Sequence, residues 1–203
     1  LEAFGLDAAP ETPVIGVVSR LVDQKGFDIL AEALPEIMRE RVAFAILGTG
    51  QQKYHDLYTK LAEEYRGRFG IRLEFNNRLA HLVEAGSDFF LMPSRYEPCG
   101  LNQMYSLRYG TFPIVRETGG LKDTISGLSP KGAKGNGFTF VDYDSDALAG
   151  AVKKAVAFYG NAAAVEKARR RVMGEDHSWR RSAREYVALY ETAADRVGMG
   201  LTT

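Results

Sequence analysis

The sequence predicts a doubly wound α/β domain, in which helices cover both faces of a parallel sheet. Short runs of apolar and β-branched residues, typical of strands buried on both faces, alternate with segments that have apolar residues at helical spacing. Most connections between these segments are short, and the chain is helical throughout from residue 144 onward. We therefore predict a Rossmann-like parallel sheet that is followed by a helical C-terminal tail.

Six strands follow from the apolar runs, and helices lie between them. The predicted strands are VIGVVS (14–19), VAFAILG (42–48), IRLEF (71–75), DFFLM (88–92), FPIV (112–115) and FTFV (138–141). The predicted helices cover 27–40, 51–67, 78–86, 101–110, 144–160, 161–173 and 177–197. Pro35 is expected to kink the first helix or to begin a second piece of it. SPKGAKGNG (129–137) is expected to be a mobile surface loop.

The composition restricts the class of protein. The chain has 203 residues with 26 basic and 26 acidic side chains, which argues against nucleic acid or an anionic membrane as the main partner. A single cysteine, Cys99, allows neither an internal disulfide nor a cysteine-cluster metal site and favours a reducing compartment. No apolar run is long enough for a membrane span, and the N-terminus lacks the features of a secretory signal. We expect residues 1–13 to be a linker remnant and 14–203 to form one domain.

Three other patterns have simple structural interpretations. GTGQQK (48–53) lacks the third glycine of a dinucleotide fingerprint, so it predicts a tight strand-to-helix turn. DYDSD (142–146) precedes a helix, where Asp or Ser caps free amides, and capping is favoured over metal binding. His55, His81 and His177 have no spacing typical of a metal site and are expected to be structural or surface residues.

Two loops at predicted strand ends point to a ligand. RLVDQKG (20–26) places Arg20 and Lys25 after the first strand, where they serve either solvation or an anion. RYEPCGLNQ (95–103) adds Gly100, which permits close backbone approach, and a helix that starts near Leu101 with free N–H groups suited to phosphate. Glu97 suits a sugar hydroxyl. Ligands of such sheets bind at the carboxyl ends of the strands, where both loops lie. A diphosphate joined to a sugar would satisfy both the helix start and the carboxylate, so the pattern predicts such a ligand.

The motifs RLVDQKGFDIL, LGTG, AGSDFFLMPSRYEPCGLNQMYSLRYGTFPIVRETGGLKDT and GFTF, in this order, closely resemble the C-terminal domain of bacterial glycogen synthases and plant starch synthases. The resemblance covers nearly the whole chain from about Val14. It implies the C-terminal half of a two-domain GT-B glycosyltransferase that moves glucose from ADP-glucose to the non-reducing end of an α-1,4-glucan, with retention and without a metal or other cofactor. The expected location is the cytoplasm, or the plastid for a plant protein.

The resemblance also assigns roles to individual residues. Arg20 and Lys25 match the pair that stabilises the departing diphosphate, and Glu97 matches the carboxylate near the glucose hydroxyls. The remaining predicted contacts to the nucleotide sugar are Phe75 against adenine, backbone at Cys99, Gly100, Leu101 and Asn102, Tyr105, and the cleft-lining Gly119 and Gly120.

One position departs from the wider superfamily and narrows the assignment. Tyr105 stands where many retaining transferases carry a second glutamate, as it commonly does in glycogen and starch synthases, so the ribose contact of that glutamate stays open. The resemblance places a KTGGL loop and a catalytic-site histidine in an N-terminal domain. We therefore expect this chain to be one half of a catalytic unit. The alternatives are a related transferase that uses UDP-glucose or GDP-mannose, and a non-catalytic nucleotide-binding module.

Overall fold

A computed structural model describes residues 2–196 of the chain, which form two compact units that meet in sequence at Met173 and Gly174. The first unit contains a single six-stranded sheet. Its strands are β1 (Val14–Val18), β2 (Ala43–Leu47), β3 (Phe69–Arg72), β4 (Phe89–Met92), β5 (Phe112–Arg116) and β6 (Phe138–Phe140).

Helices follow the strands in alternation. They are α1 (Phe27–Ile37), α2 (Gln52–Glu64), α3 (Asn77–Gly86), α4 (Asn102–Tyr109), α5 (Gly119–Thr124), α6 (Ser145–Tyr159), α7 (Ala162–Val172) and α8 (Trp179–Arg196). Glu2–Phe4 and Asp23–Lys25 form short 3-10 helices. The second unit contains α8, which buries none of its described side chains and exposes Trp179, Tyr186 and Tyr190.

The strand order is β3-β2-β1-β4-β5-β6, and every pairing is parallel. This is the doubly wound order of the Rossmann fold, with its topological switch between β1 and β4. Successive side chains of a strand lie on opposite faces of the sheet. Phe89 belongs to the main core, with residues of α1, α2 and α6, whereas Phe90 packs in a separate cluster with Val83 of α3. The predicted fold class is confirmed.

Most element positions agree with the sequence prediction, and the third strand is the clearest correction. It was expected at 71–75 and lies instead at Phe69–Arg72, where Phe69 pairs with Phe44. Leu73 and Phe75 fit an alternating strand pattern, but they leave the sheet and are 37% and 91% exposed. Their apolar character was interpreted as a sign of burial, whereas β3, which pairs with β2, begins two residues earlier than expected.

The first and fifth helices also differ from expectation. α1 continues through Pro35 without a break and ends at Ile37. The hydrogen bond that proline removes lies in the last turn, and the buried Leu34 and Ile37 hold that turn on the core. α5 was not predicted, because its six residues begin with two glycines, Gly119 and Gly120, and carry one buried apolar residue.

The expected linker remnant and the expected mobile loop both make specific contacts. In 2–13, the Asp7 amide donates to Gly67 O over 2.8 Å, and Leu6 is buried with Ala45 in a small apolar cluster. The identification of residues 1–13 as a linker remnant stays a prediction. In 129–137, the Ser129 Oγ accepts from the amides of Ala133 and Lys134, both over 3.1 Å.

None of the described helices combines the length and apolar character needed to cross a membrane.

Candidate functional site

A pocket of about 300 Å³ lies at the carboxyl ends of β1 and β4, on the topological switch of the sheet. Both loops that the sequence analysis singled out contribute to it. Its lining residues include Arg20 and Lys25 from the loop after β1, and Glu97, Gly100, Leu101 and Asn102 from the segment after β4. Six of the predicted site residues therefore meet at one pocket.

Lys25 and Glu97 form an ion pair in this pocket. Their side chains are 19% and 9% exposed, and the Ser94 hydroxyl also lies 3.3 Å from Glu97 Oε2. The turn that carries Lys25 can approach because Gly26 has φ +76° and sits directly on the backbone of Pro93. A methyl group at Gly26 would lie 2.0 Å from the Pro93 carbonyl oxygen. Close backbone packing between the two loops thus places a cation against a buried carboxylate.

The loop from Glu97 to Gly100 runs directly into α4. Gly100 has φ +73°, a left-handed conformation that favours glycine. Gln103 is fully buried, and its Nε2 donates to the carbonyl oxygens of Cys99 and Gly100 over 3.2 and 3.1 Å. Leu101 at the N-cap offers no capping side chain, so the first amides of α4 keep their donors for another partner. An anion in the pocket would satisfy these amides and the positive end of the helix.

Other predicted site residues, on α4 and in the loop before it, have different surroundings. The Asn102 Nδ2 donates to Val18 O over 3.3 Å, which ties the start of α4 to the end of β1. Tyr105 is 43% exposed, and its ring centroid lies 6.1 Å from that of His81 on α3. The Cys99 thiol is exposed. Their predicted ligand contacts remain predictions.

Gly119 and Gly120 support the Glu97 loop from behind. Gly119 has φ +44°, and a methyl group there would lie 2.1 Å from Glu97 O. A methyl group on Gly120 would lie 2.2 Å from Cys99 O, and its amide donates to Glu97 O over 3.1 Å. The two glycines therefore let the start of α5 press against the backbone of residues 97–99. Their cleft-lining role, expected from the resemblance, remains a prediction beside this packing role.

A second pocket, of about 200 Å³, adjoins the first at the carboxyl end of β2. Phe75 lines it with Gly48, Thr49 and Asn76. The Phe75 ring is 91% exposed, so it offers a flat apolar face to a ligand. Arg20 lines both pockets, and its guanidinium makes no hydrogen bond or ion pair with another residue in the part of the chain that is described. It is an unpaired cation between a polar pocket and an aromatic one.

GTGQQK forms the expected turn, and DYDSD provides the expected helix cap. In the turn after β2, a methyl group at Gly48 would lie 1.8 Å from Ser19 O, so the glycine permits close packing of two strand ends. Asp144 caps α6 by accepting from the Ala147 amide over 2.7 Å. His55 Nε2 accepts from the Gly50 amide over 3.0 Å and so helps to fix this turn. Within residues 2–196, no three His, Cys, Asp or Glu side chains cluster as metal ligands.

A larger cavity, of about 560 Å³, lies away from these strand ends, between residues 127–139 and α6. Its lining is mainly apolar, with Lys154 as the charged contributor. Convergent polar groups usually fix the orientation of a bound ligand. We therefore take the two smaller pockets, where charges and helix amides converge, as the candidate site.

Several residues that shape this site were not predicted from the sequence. Gln103 orients the Cys99 and Gly100 carbonyls, and the signal for it was a polar side chain on the buried face of a short helix. Arg116 lies within the recognised motif and Tyr143 within DYDSD, but neither was predicted to shape the site, and both contact Arg95 of the Glu97 loop. Nothing in their local sequence marks them, because they act through residues distant in the chain.

Comparison with known proteins gives consistent results. Residues 2–172 match the family described as glycosyl transferases group 1. The chain is 50% identical over 195 residues to the glycogen synthase of Koribacter versatilis, covering 95% of this chain and 40% of that protein. It is 47% identical over 181 residues to the glycogen synthase of Kosmotoga olearia, covering 89% of this chain and 38% of that protein.

Among solved structures, the catalytic domain of starch synthase IV from Arabidopsis thaliana, bound to ADP and acarbose, superposes with a TM-score of 0.83 at 30% identity. The match covers 96% of this chain and 41% of that one. The chain thus spans about 40% of the length of the curated relatives it matches. The resemblance stated from the motifs is confirmed, and the chain belongs to the group 1 glycosyl transferases.

Proposed function

We propose that this chain is the donor-binding part of a retaining glucosyltransferase that transfers glucose from ADP-glucose to an α-1,4-glucan. One observation carries the proposal. A buried Lys25–Glu97 ion pair, the unpaired Arg20 and the uncapped start of α4 converge on one pocket at the switch point of the sheet. Together they offer cations and amide donors for a diphosphate and a carboxylate acceptor for a sugar.

The two ends of the donor are assigned by charge. Glu97 accepts hydrogen bonds and suits the glucose hydroxyls, whereas Lys25, Arg20 and the α4 amides suit the phosphates. Lys25 carries three donors, so it can keep its bond to Glu97 while donating to a phosphate oxygen. Because the β-phosphate bears the glucose, the cation beside Glu97 is assigned to the β-phosphate.

The nucleoside is assigned to the second pocket. Phe75 presents an exposed ring there, and Arg20 lies between this pocket and the polar one, as the connection from base to phosphates requires. Aromatic faces stack with planar groups through offset geometry. Adenine is preferred because the starch synthase IV structure, at 30% identity, holds ADP.

The chemical contribution of these residues is electrostatic. Breaking the bond from glucose to phosphate places negative charge on the departing ADP. Lys25, held against Glu97, borders that position together with Arg20 and the positive end of α4, so these groups can stabilise the charge. The acceptor glucan and the groups that complete the active site are assigned to the part of the enzyme that corresponds to the remaining length of the relatives.

A titration of the 203-residue chain with ADP, UDP and GDP tests the proposal. We expect saturable binding of ADP with a weaker response to UDP and GDP. A preference for UDP or GDP would favour the related transferases that use other donors. Failure of all three nucleotides to bind would refute the assignment of these pockets to a nucleotide sugar.

A further inference from the structure

Tyr143, in the connection between β6 and α6, holds both ends of the turn that carries Lys25. Its hydroxyl donates to Asp28 Oδ1 over 2.5 Å and lies 3.2 Å from the carbonyl oxygen of Asp23. Asp23 begins the short 3-10 helix that ends at Lys25, and Asp28 lies in the first turn of α1. One phenol therefore links the residues on either side of Lys25, from a position more than a hundred residues away.

The same side chain touches the loop that carries Glu97. The Arg95 guanidinium lies 4.5 Å from the centre of the Tyr143 ring, and its Nη2 is 3.2 Å from Asp28 Oδ2. The Arg95 amide donates to Gln24 O over 2.9 Å. Tyr143, Asp28 and Arg95 thus form a bridge between the Lys25 turn and the Glu97 loop.

Arg116, at the end of β5, fixes this bridge to the sheet. Its Nη1 donates to Arg95 O over 2.8 Å, and its Nε donates to Val141 O over 3.0 Å. The guanidinium also lies 5.4 Å from the Tyr143 ring centre. The strand ends that carry Arg95, Arg116 and Tyr143 are therefore joined beside the pocket.

Such a bridge matters because lysine is a flexible ligand. Its ammonium sits on a four-carbon stem and takes its direction from the backbone and from its partner. A misplacement of about 1 Å at a group that orients a substrate can cost about a hundredfold in rate. A fixed turn and a fixed Glu97 loop together determine where the Lys25 ammonium points.

We propose that Tyr143 is a positioning residue for the donor diphosphate, acting through the Lys25 turn. This inference rests on the proposed function. Burial raises the pKa of Tyr143 to about 12, with the Asp28 hydrogen bond acting in the same direction, so the phenol remains a donor at neutral pH.

The experiment compares ADP with AMP. Lys25 is assigned to the β-phosphate, which AMP lacks, so loss of the Tyr143 hydroxyl should affect the two nucleotides differently. For Tyr143→Phe, we expect the Kd of ADP to rise about 3- to 10-fold and the Kd of AMP to change less than about twofold. In a Lys25→Ala background, Tyr143→Phe should cause no further loss of ADP affinity. Asp28→Ala, which removes the acceptor on the other side of the bond, should reproduce the same difference between ADP and AMP.

Tyr159→Phe is the matched control. The Tyr159 phenol also interacts with an aspartate, Asp88, but this pair lies at the amino end of β4, whereas the pocket lies at the carboxyl ends of the strands. It should leave the Kd of both nucleotides unchanged, and circular dichroism should confirm that each variant folds.

Several results would overturn the inference. Equal weakening of ADP and AMP, or a loss that persists without Lys25, would show a general structural effect. Unchanged ADP affinity in Tyr143→Phe would remove the positioning role while the proposed function stands. If the unsubstituted chain binds no ADP, the proposed function fails and this inference fails with it.

Discussion

The Lys25 ammonium donates to the Glu97 carboxylate across 72 residues of sequence, and the pair lies largely buried between the ends of β1 and β4. Each charge is therefore the local counter-ion of the other. Removal of either side chain leaves its partner in a site with little solvent, which costs more than the pair itself contributes. This relationship separates the expected consequences of substituting the two cations of the loop.

Arg20→Ala and Lys25→Ala should each weaken ADP binding by about 1.5–3 kcal/mol, the range for hydrogen bonds to charged groups. Calorimetric titration measures both. Only Lys25→Ala should also lower the free energy of unfolding, because Arg20 has no side-chain partner within the described residues. Arg66→Ala, at an exposed position between α2 and β3, is the control that should change neither quantity. Wild-type ADP affinity in both variants would refute the diphosphate assignment.

Cys99 should react readily with an alkylating reagent, and saturating ADP should slow the reaction. The thiol is exposed and sits beside Gly100, which lines the pocket between β1 and β4. A ligand in that pocket would cover the approach to sulfur. Mass spectrometry of timed reactions with iodoacetamide gives the rate constant. An equal rate with and without ADP would place the nucleotide elsewhere.

Gly119→Ala should destabilise the fold and weaken donor binding together. Its methyl group would lie 2.1 Å from Glu97 O at a residue with φ +44°, so backbone on one side must move. Overpacking of this kind costs about 1–3 kcal/mol. Urea unfolding measures the stability and an ADP titration the affinity.

Gly150→Ala provides the contrast for Gly119, because Gly150 is inside α6 with no neighbouring atom within 4 Å of the added methyl group. Alanine there should stabilise the helix by about 0.5–1 kcal/mol. A Gly119→Ala variant as stable as the wild type would contradict the packing assigned to that glycine.

Glu84 should make stability fall as the pH rises. Burial raises the pKa of this carboxyl group, against the opposing effect of the His81 hydrogen bond. The folded state therefore holds the proton more tightly than the unfolded state does. The contribution is complete below the ordinary glutamate pKa and is lost as the pH rises through the folded value.

Glu84→Gln removes this titration. The stability of the variant relative to wild type should therefore improve between pH 4.5 and pH 7, as measured by urea unfolding at both values. Gln can still accept a hydrogen bond from His81. A difference between variant and wild type that does not change with pH would show that Glu84 titrates normally.

The 203-residue chain should bind ADP yet transfer no glucose from ADP-glucose to glycogen by itself. Under the proposed function it supplies one wall of the site, and positioning of both substrates can be worth about 7–11 kcal/mol of the barrier. Incubation with labelled ADP-glucose and glycogen tests this, with and without the N-terminal part of a glycogen synthase relative. Robust incorporation by the chain alone would show that the catalytic site is complete within it.

The sequence was sufficient for the sheet and for the residues that meet at the pocket. Apolar runs mark strands buried on both faces, and a parallel sheet brings their following loops to one edge, so Arg20, Lys25 and Glu97 could be placed together. The end of β3 was misplaced because exposed apolar residues such as Phe75 follow the same alternation as buried ones. The local sequence pattern does not distinguish an exposed aromatic ring from one that faces the core.

The bridge around Tyr143 could not be predicted for a different reason. Its contacts join residues that are near one another only after the sheet has formed, and none of them interrupts a local pattern. Gln103 lies between these cases, because a buried polar residue on a helix is visible in the sequence while its partners are not.

The pairing of β1 with β4 joins strands that lie far apart in the chain, since β2 and β3 extend the sheet on the other side before the chain returns. Contacts of this kind carry the loop-closure cost that slows folding, so we expect the β1–β4 pairing to form late. A nucleotide that contacts the ends of both strands would bind only molecules in which β1 and β4 are paired. At a hundred times its Kd, such a ligand adds about 2.7 kcal/mol to stability. Slower hydrogen exchange along β1 and β4 would then report occupancy of the pocket.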